Sequence, residues 1–190
     1  MFFAFLIGTP VPLLPIHILW VNLVTDGFPA LALGFDPVDP DIMRRPPRPR
    51  HEAVLNKERV FLILIQGMFI AFCSLAAFFW VLTVERGTIE RARTVTFFVL
   101  ACSQLFHSFN CRNHETSFFK VGLFTNGKLV LATLVSFFLL VVVINVPFVQ
   151  KFFRTSDLHG IDLLWFTLVA SFPFWAMETL KVFRNLRKHG

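Results

Sequence analysis

Three polar residues in the stretch "WVNLVTDGFPALALGF" (residues 20–35) could bind a cation inside a membrane. Asn22, Thr25 and Asp26 are spaced i, i+3 and i+4, so on a helix they share one face. They offer an amide oxygen, a hydroxyl and a carboxylate. These are the hard oxygen donors that Ca²⁺, Mg²⁺ or Na⁺ prefers. A carboxylate at membrane depth is costly, which makes this group a candidate functional site.

Two residues that disturb helices follow this group. Pro29 has no N–H to donate to the carbonyl of Thr25 and its ring crowds that carbonyl, while Gly27 lowers the cost of unwinding. Irregular backbone at membrane depth is typical of ion sites in transporters. The donors and the helix breakers together therefore predict a cation site.

An alternative interpretation gives the same residues a structural role. Asn22 and Thr25 would bond to neighbouring helices, and Asp26 would pair with a basic side chain. The apolar segments offer no Lys or Arg as an obvious partner for Asp26, which weakens this alternative.

The composition is that of a membrane protein. Of the 190 residues, 55% are hydrophobic, and the mean hydropathy is +0.66. The net charge of +6 lies in short segments between apolar runs, a pattern that favours membrane insertion over a nucleic-acid partner. The chain has three cysteines, Cys73, Cys102 and Cys111. The first two fall within apolar runs, so the sequence does not indicate a disulfide framework.

Long apolar runs predict an all-α membrane protein, a polytopic helical bundle with five full transmembrane helices plus an N-terminal partial helix. Seven helical residues reach only about 10 Å, against a hydrocarbon core of about 30 Å, so the first apolar run cannot span. We divide the chain into the end of a truncated helix (1–7), the ion-ligand helix (14–33), a Pro-rich loop (34–59), a four-helix region (60–181) and a basic tail (182–190). Within the four-helix region the expected spans are 60–84, 94–110, 129–149 and 161–180.

Lysines and arginines predict the orientation. The loops at 34–59 and 111–128 and the tail from Lys181 hold six, three and four of them, whereas the loops on the other side hold three and two. The richer side is expected in the cytoplasm. We therefore predict an integral, multi-pass protein whose first partner is the lipid bilayer.

A calcium ion takes about 6–8 oxygen ligands, so further donors are needed. Ser103 and Gln104 lie within the span at 94–110, with His107 one turn later. They could ligate an ion or tie helices together, and we favour the tie, because polar groups at this depth are expected to face inward. Near the end of the last span, Glu178 and Lys181 are spaced for a salt bridge at the membrane rim.

Other polar residues are given ordinary roles by the sequence. His17 and Trp20 sit where interfacial anchoring is common. Asp36, Asp39 and Asp41 precede a basic run, and turn or capping duty is expected for them rather than an EF-hand.

A longer stretch, "LLPIHILWVNLVTDGFPALALGFDPVDPDIMRRPPR", resembles the sixth transmembrane helix and following cytoplasmic loop of P-type calcium ATPases. The family pattern runs L-W-V-N-L-V-T-D-G-x-P-A-x-A-L-G-F, then an acidic Pro-rich stretch that ends in D-I-M-x-x-P-P-R. The rest of the chain is similar to the last four helices of these pumps, so the resemblance covers nearly all 190 residues.

The resemblance implies that Asn22, Thr25 and Asp26 coordinate Ca²⁺ beside groups from the fourth and fifth helices of the pump. This sequence does not contain those two helices, apart from the apolar segment at residues 1–7. The D-K-T-G phosphorylation motif and the nucleotide domain are not found in this sequence. We therefore expect that this chain alone does not hydrolyse ATP. ATP and Mg²⁺ would act only in the intact pump, with the missing domains and helices supplied in the same chain or in trans.

The resemblance also bears on the number of ions. Pumps with two calcium sites carry a glutamate in the eighth helix, in a stretch like E-M-C-N-A-L-N. Here "QLFHSFN" places Gln104 at that position, which keeps an oxygen but loses a charge. Because two close divalent ions need several carboxylates to offset their repulsion, one Ca²⁺ per cycle is expected, with Gln104 as a candidate ligand.

The sequence thus predicts the membrane-embedded ion-binding part of a P-type Ca²⁺-transporting ATPase, as a fragment or truncated product. Two alternatives stay open. One is a stand-alone membrane binding or regulatory module without transport. The other is the same kind of pump acting on Na⁺, Mn²⁺ or Mg²⁺, because oxygen donors alone do not separate these ions.

Overall fold

The computed structural model describes residue 8 and residues 10–37, 57–112 and 118–189. This part of the chain is helical throughout and contains no strand, which confirms the all-α class. The predicted helix remnant at 1–7 and most of the loop at 34–59 lie outside these residues. The helices are α1 (Pro15–Trp20), a π-helical turn (Val21–Asp26), α2 (Gly27–Leu33), α3 (Lys57–Thr83), α4 (Ile89–Asn110), α5 (Phe118–Val121), a 3₁₀ turn (Leu123–Asn126), α6 (Gly127–Asn145), α7 (Pro147–Phe153) and α8 (Gly160–His189).

Helix α4 lies at the centre of the bundle. It packs mainly against α3 and α8 and also contacts α6, α2 and the π-helical turn. Its side chains supply much of the core, and five of the fully enclosed ones are Val95, Phe97, Phe98, Val99 and Ala101. The outer helices instead turn leucine and phenylalanine outward, as lipid-facing helices do.

The prediction of five full spans exceeds the number of candidate spans in the described part of the chain, which is four. Among the described helices, those long and apolar enough to cross a membrane cover Pro15–Leu33, Arg59–Thr83, Leu123–Asn145 and Gly160–Phe183. The segment at 94–110 belongs to α4, whose 22 residues reach about 33 Å. This helix is long enough but less apolar. Because neighbouring helices rather than lipid surround α4, its side chains need not be uniformly apolar.

The predicted span at 129–149 ends early because of Pro147. The proline cannot donate to the carbonyl of Val143, and α6 stops at Asn145. The hydroxyl of Thr155 donates to that carbonyl instead, at 3.0 Å. The chain then forms the short helix α7 and turns back through Arg154 in the left-handed conformation.

Pro173 lies inside α8, where it likewise weakens the local backbone bonds. Two side chains of α4 donate to carbonyls beside this proline. Ser103 Oγ bonds to the carbonyl of Ala170 at 3.0 Å, and Asn110 Nδ2 bonds to that of Phe174 at 3.3 Å. These bonds fix α8 against the central helix, and Ser103 forms a tie between helices.

His17 is fully buried, so the expectation of an interfacial anchor is wrong for this residue. Its ring stacks on Phe97 with centroids 4.6 Å apart. Its Nε2 lies 2.8 Å from the carbonyl oxygen of Phe153, within hydrogen-bonding distance. The imidazole thereby joins the start of the ion-ligand helix to α4 and the end of α7.

Candidate ion-binding site

The backbone of the predicted ion-ligand helix widens at the expected place. Val21–Asp26 form a π-helical turn between α1 and α2. In this register the carbonyl of Val24 would accept from residue 29, but Pro29 has no N–H to give. Ser136 of α6 donates its hydroxyl to the Val24 carbonyl at 3.0 Å. The helix therefore stays wound but locally wider, and α6 stabilises the distortion.

Two of the three candidate ligands on this turn face outward, and one faces the bundle. Thr25 is buried, with 2% of its surface exposed, and faces the bundle. Asn22 and Asp26 are exposed on the outer side, next to Leu19 and Leu23, which are also exposed. The described residues therefore leave Asn22 and Asp26 accessible rather than enclosed.

Gln104 differs from the other polar residues of α4. Its Oε1 atom is buried and has no hydrogen-bond partner among the described residues. A buried acceptor without a partner loses its interaction with water and gains nothing in return, at a cost of about 1–3 kcal/mol. A cation, or a water molecule bound to one, would satisfy this oxygen.

These donors do not form a complete metal centre by themselves. Across residues 10–37, 57–112 and 118–189, no three His, Cys, Asp or Glu side chains lie together in a way that could hold a metal ion. Even if they acted together, Asp26, Asn22 and Gln104 would offer fewer oxygen atoms than a hard cation needs.

The chain matches a known family over most of its length. The family model described as "Cation transporting ATPase, C-terminus" matches residues 10–183. The chain belongs to this family. It is therefore an integral, multi-pass membrane segment of the cation-transporting ATPase type, as its apolar helices indicate.

Several named relatives have similar sequences. The chain is 37% identical to "Calcium-transporting ATPase 1" of Bacillus cereus over 196 residues, covering 96% of this chain and 22% of the relative. It is 42% identical to "Calcium-transporting ATPase" of Bacillus subtilis, over 82% of this chain and 17% of the relative. It is 34% identical to "Calcium-transporting ATPase type 2C member 2" of Homo sapiens, over 91% of this chain and 18% of the relative. The chain spans about a fifth of the length of these relatives.

In this member of the cation-transporting ATPase family, the predicted salt bridge between Glu178 and Lys181 is present but does not lie at an exposed rim. Their side chains are 4% and 6% exposed, and the Nζ···Oε1 distance is 3.0 Å. Lys181 also donates to the main-chain and side-chain oxygens of Asn110, each at 3.3 Å. Glu178 accepts the backbone N–H of Phe118 at 3.1 Å. The pair thus joins α8 to the end of α4 and the start of α5.

A second ionic contact holds the far end of the ion-ligand helix. The sequence predicts a turn or capping role for Asp36, but this residue pairs with Arg112, whose side chain is 2% exposed. Arg112 also donates to Gly122 O and Thr125 Oγ1. Asp39 and Asp41 lie outside the described residues. The sequence offers no sign of this pair beyond the two opposite charges, because 76 positions separate them.

Asn126 also holds this end of the ion-ligand helix, a role that is not apparent from the sequence. Its Nδ2 donates to the carbonyl of Ala32 at 3.1 Å and to Asp36 at 3.0 Å. Its Oδ1 accepts the N–H of Leu129 and so caps α6. Together with the bond from Ser136 to Val24, this fixes the ion-ligand helix to α6 at two levels.

Proposed function

We propose that this chain is the ion-binding and translocating membrane part of a P-type Ca²⁺-transporting ATPase, with Asn22, Thr25, Asp26 and Gln104 among its ligands. The observation that carries this proposal is the outward placement of Asn22 and Asp26 on a widened turn of an otherwise apolar helix. A carboxylate facing lipid is costly, so a functional member of this family is expected to cover that face with protein.

The lengths of the relatives indicate what would cover it. This chain corresponds to about a fifth of each of them, and they carry the name of calcium-transporting ATPases. The proposed partners are the remaining helices and cytoplasmic domains of such a pump, in the same chain or in trans. ATP and Mg²⁺ would bind those domains, and Asp26 would supply the charge that binds the transported ion.

A chimera tests this function. The corresponding segment of the Bacillus cereus relative is replaced by this chain. Phosphorylation of the chimera by ATP is then measured with Ca²⁺, Mn²⁺ or Na⁺ as the activating ion. Mg²⁺ is present throughout as the partner of ATP, and the control omits the activating ion. We expect Ca²⁺ to activate at the lowest concentration, because flexible sites with many oxygen ligands suit it.

Two outcomes would redirect the proposal. Activation by Na⁺ or Mn²⁺ at lower concentration than by Ca²⁺ would assign a different ion to the same kind of pump. A chimera that is inserted and folded, yet is phosphorylated with none of these ions, would favour the stand-alone binding or regulatory module.

We further propose that the site holds one Ca²⁺. Gln104 contributes an oxygen without a charge, and Asp26 is the one carboxylate among the four proposed ligands. A second divalent ion nearby would lack the negative charge that offsets repulsion. Equilibrium binding of radioactive Ca²⁺ to the chimera should give one ion per molecule, and Gln104→Ala should weaken that binding while Gln150→Ala does not. A measured ratio of two would contradict a single site.

A further inference from the structure

The last turn of α4 brings together two side chains that the proposed calcium site does not use. His107 and Cys111 lie one helical turn apart, and Nε2 of the histidine is 3.4 Å from Sγ of the cysteine. Cys73 and Cys102 are buried in the bundle, whereas Cys111 is exposed. A thiol and an imidazole are the donors that Zn²⁺ and other soft divalent cations prefer.

The distance between the two donor atoms fits a shared metal ion. Tetrahedral zinc has bonds of about 2.3 Å to sulfur and about 2.0–2.1 Å to nitrogen, which place the two atoms about 3.5 Å apart. The observed 3.4 Å is close to this value, so an ion could bind both atoms with little movement of either side chain.

The local charges allow a cation to bind here. Lys181 and Asp26 carry opposite charges that both act on the Cys111 thiol. The Lys181 ammonium is paired with Glu178 at 3.0 Å, which offsets its repulsion of a metal ion. The negative charge of Asp26 favours a cation at this end of α4.

We propose that His107 and Cys111 form a binding site for one soft divalent cation, Zn²⁺ or Cd²⁺, separate from the oxygen ligands of the proposed calcium site. The two residues supply one nitrogen and one sulfur, and the described residues place no third His, Cys, Asp or Glu in such a group. Binding displaces the thiol proton to solvent, and the thiolate then coordinates the ion.

Cd²⁺ is a suitable probe, because its bond to a thiolate gives a charge-transfer absorption in the ultraviolet. The full chain, purified in detergent micelles, is titrated with Cd²⁺ in the presence of excess Ca²⁺ to occupy oxygen sites. We expect one Cd²⁺ per chain together with the thiolate absorption. Cys111→Ser should abolish the absorption. His107→Ala should weaken binding at least about tenfold, since loss of even an outer-shell partner of a metal costs about 10–100-fold.

Cys73→Ser is the matched control, because it removes a buried thiol of α3 and should leave both the affinity and the absorption unchanged. Helix content by circular dichroism shows whether each variant has folded. As a second approach, the exposed Cys111 of the unaltered protein is blocked with a small methylthiolating reagent, and binding should be lost. Retained absorption after Cys111→Ser or after blocking, or its loss in Cys73→Ser, would overturn the proposal.

Discussion

Asp26→Asn is expected to weaken activation by Ca²⁺ strongly in the chimeric pump. The substitution keeps the size of the side chain and one of its oxygens but removes the charge of the one acidic residue among the proposed ligands. Asp26 is exposed on the π-helical turn and makes no ion pair among the described residues, so the change should leave the packing of this chain intact. We expect the concentration of Ca²⁺ needed for half-maximal phosphorylation to rise more than about 100-fold. Loss of an outer-shell partner of a metal costs about 10–100-fold, and loss of a direct ligand should cost more.

The matched control is Asp157→Asn, which removes the same charge from the loop between α7 and α8. Asp157 accepts a hydrogen bond from Gln150 and lies far along the chain from the π-helical turn. Its substitution should change the half-maximal concentration less than about twofold, the scale of a surface charge change. Equal effects of the two variants, or an unchanged response in Asp26→Asn, would remove Asp26 from the proposed ligands.

Lys181→Met is expected to destabilise the fold strongly. It removes the cation that lies 3.0 Å from the buried carboxylate of Glu178, together with both bonds to Asn110. Breaking a buried ion pair by removing one partner costs about 3–5 kcal/mol, because the remaining charge stays buried. The free energy of unfolding, measured by titrating the purified chain with dodecyl sulfate in mixed micelles, should fall by this amount.

The double variant Glu178→Gln with Lys181→Met separates charge from packing. The neutral amide can still accept the N–H of Phe118, so most of the lost stability should return. Lys151→Met serves as the control, since this lysine of α7 is exposed and its loss should change the free energy of unfolding by less than about 0.5 kcal/mol. If Lys181→Met is no more destabilising than Lys151→Met, the buried pair does not stabilise the fold.

The sequence alone determined the features that depend on neighbours along the chain. Apolar runs long enough to cross a bilayer predict helices regardless of what packs beside them, because backbone groups in lipid must be bonded within the helix. The position of the helix distortion was also predictable, since Pro29 lacks an N–H wherever it occurs. The donor types of Asn22, Thr25 and Asp26 follow from composition, and their identity as calcium ligands stays a prediction.

The tertiary structure decided which polar groups meet. Ser136 reaches the Val24 carbonyl across 112 positions, and His17 reaches Phe153 across 136. No periodicity within one helix encodes such contacts, because the spacing of residues along a helix specifies its own face and not the neighbour that covers it.

The same reason explains the incorrect expectations. The apolar residues at 94–110 predict a lipid-crossing span, but other helices enclose α4 and relax the need for apolarity. The sequence places Glu178 and Lys181 at the membrane rim. In the structure both are buried, Lys181 donates to Asn110, and Glu178 accepts the N–H of Phe118. Burial of a residue depends on which helices pack around it, and this packing is decided only when distant parts of the chain come together.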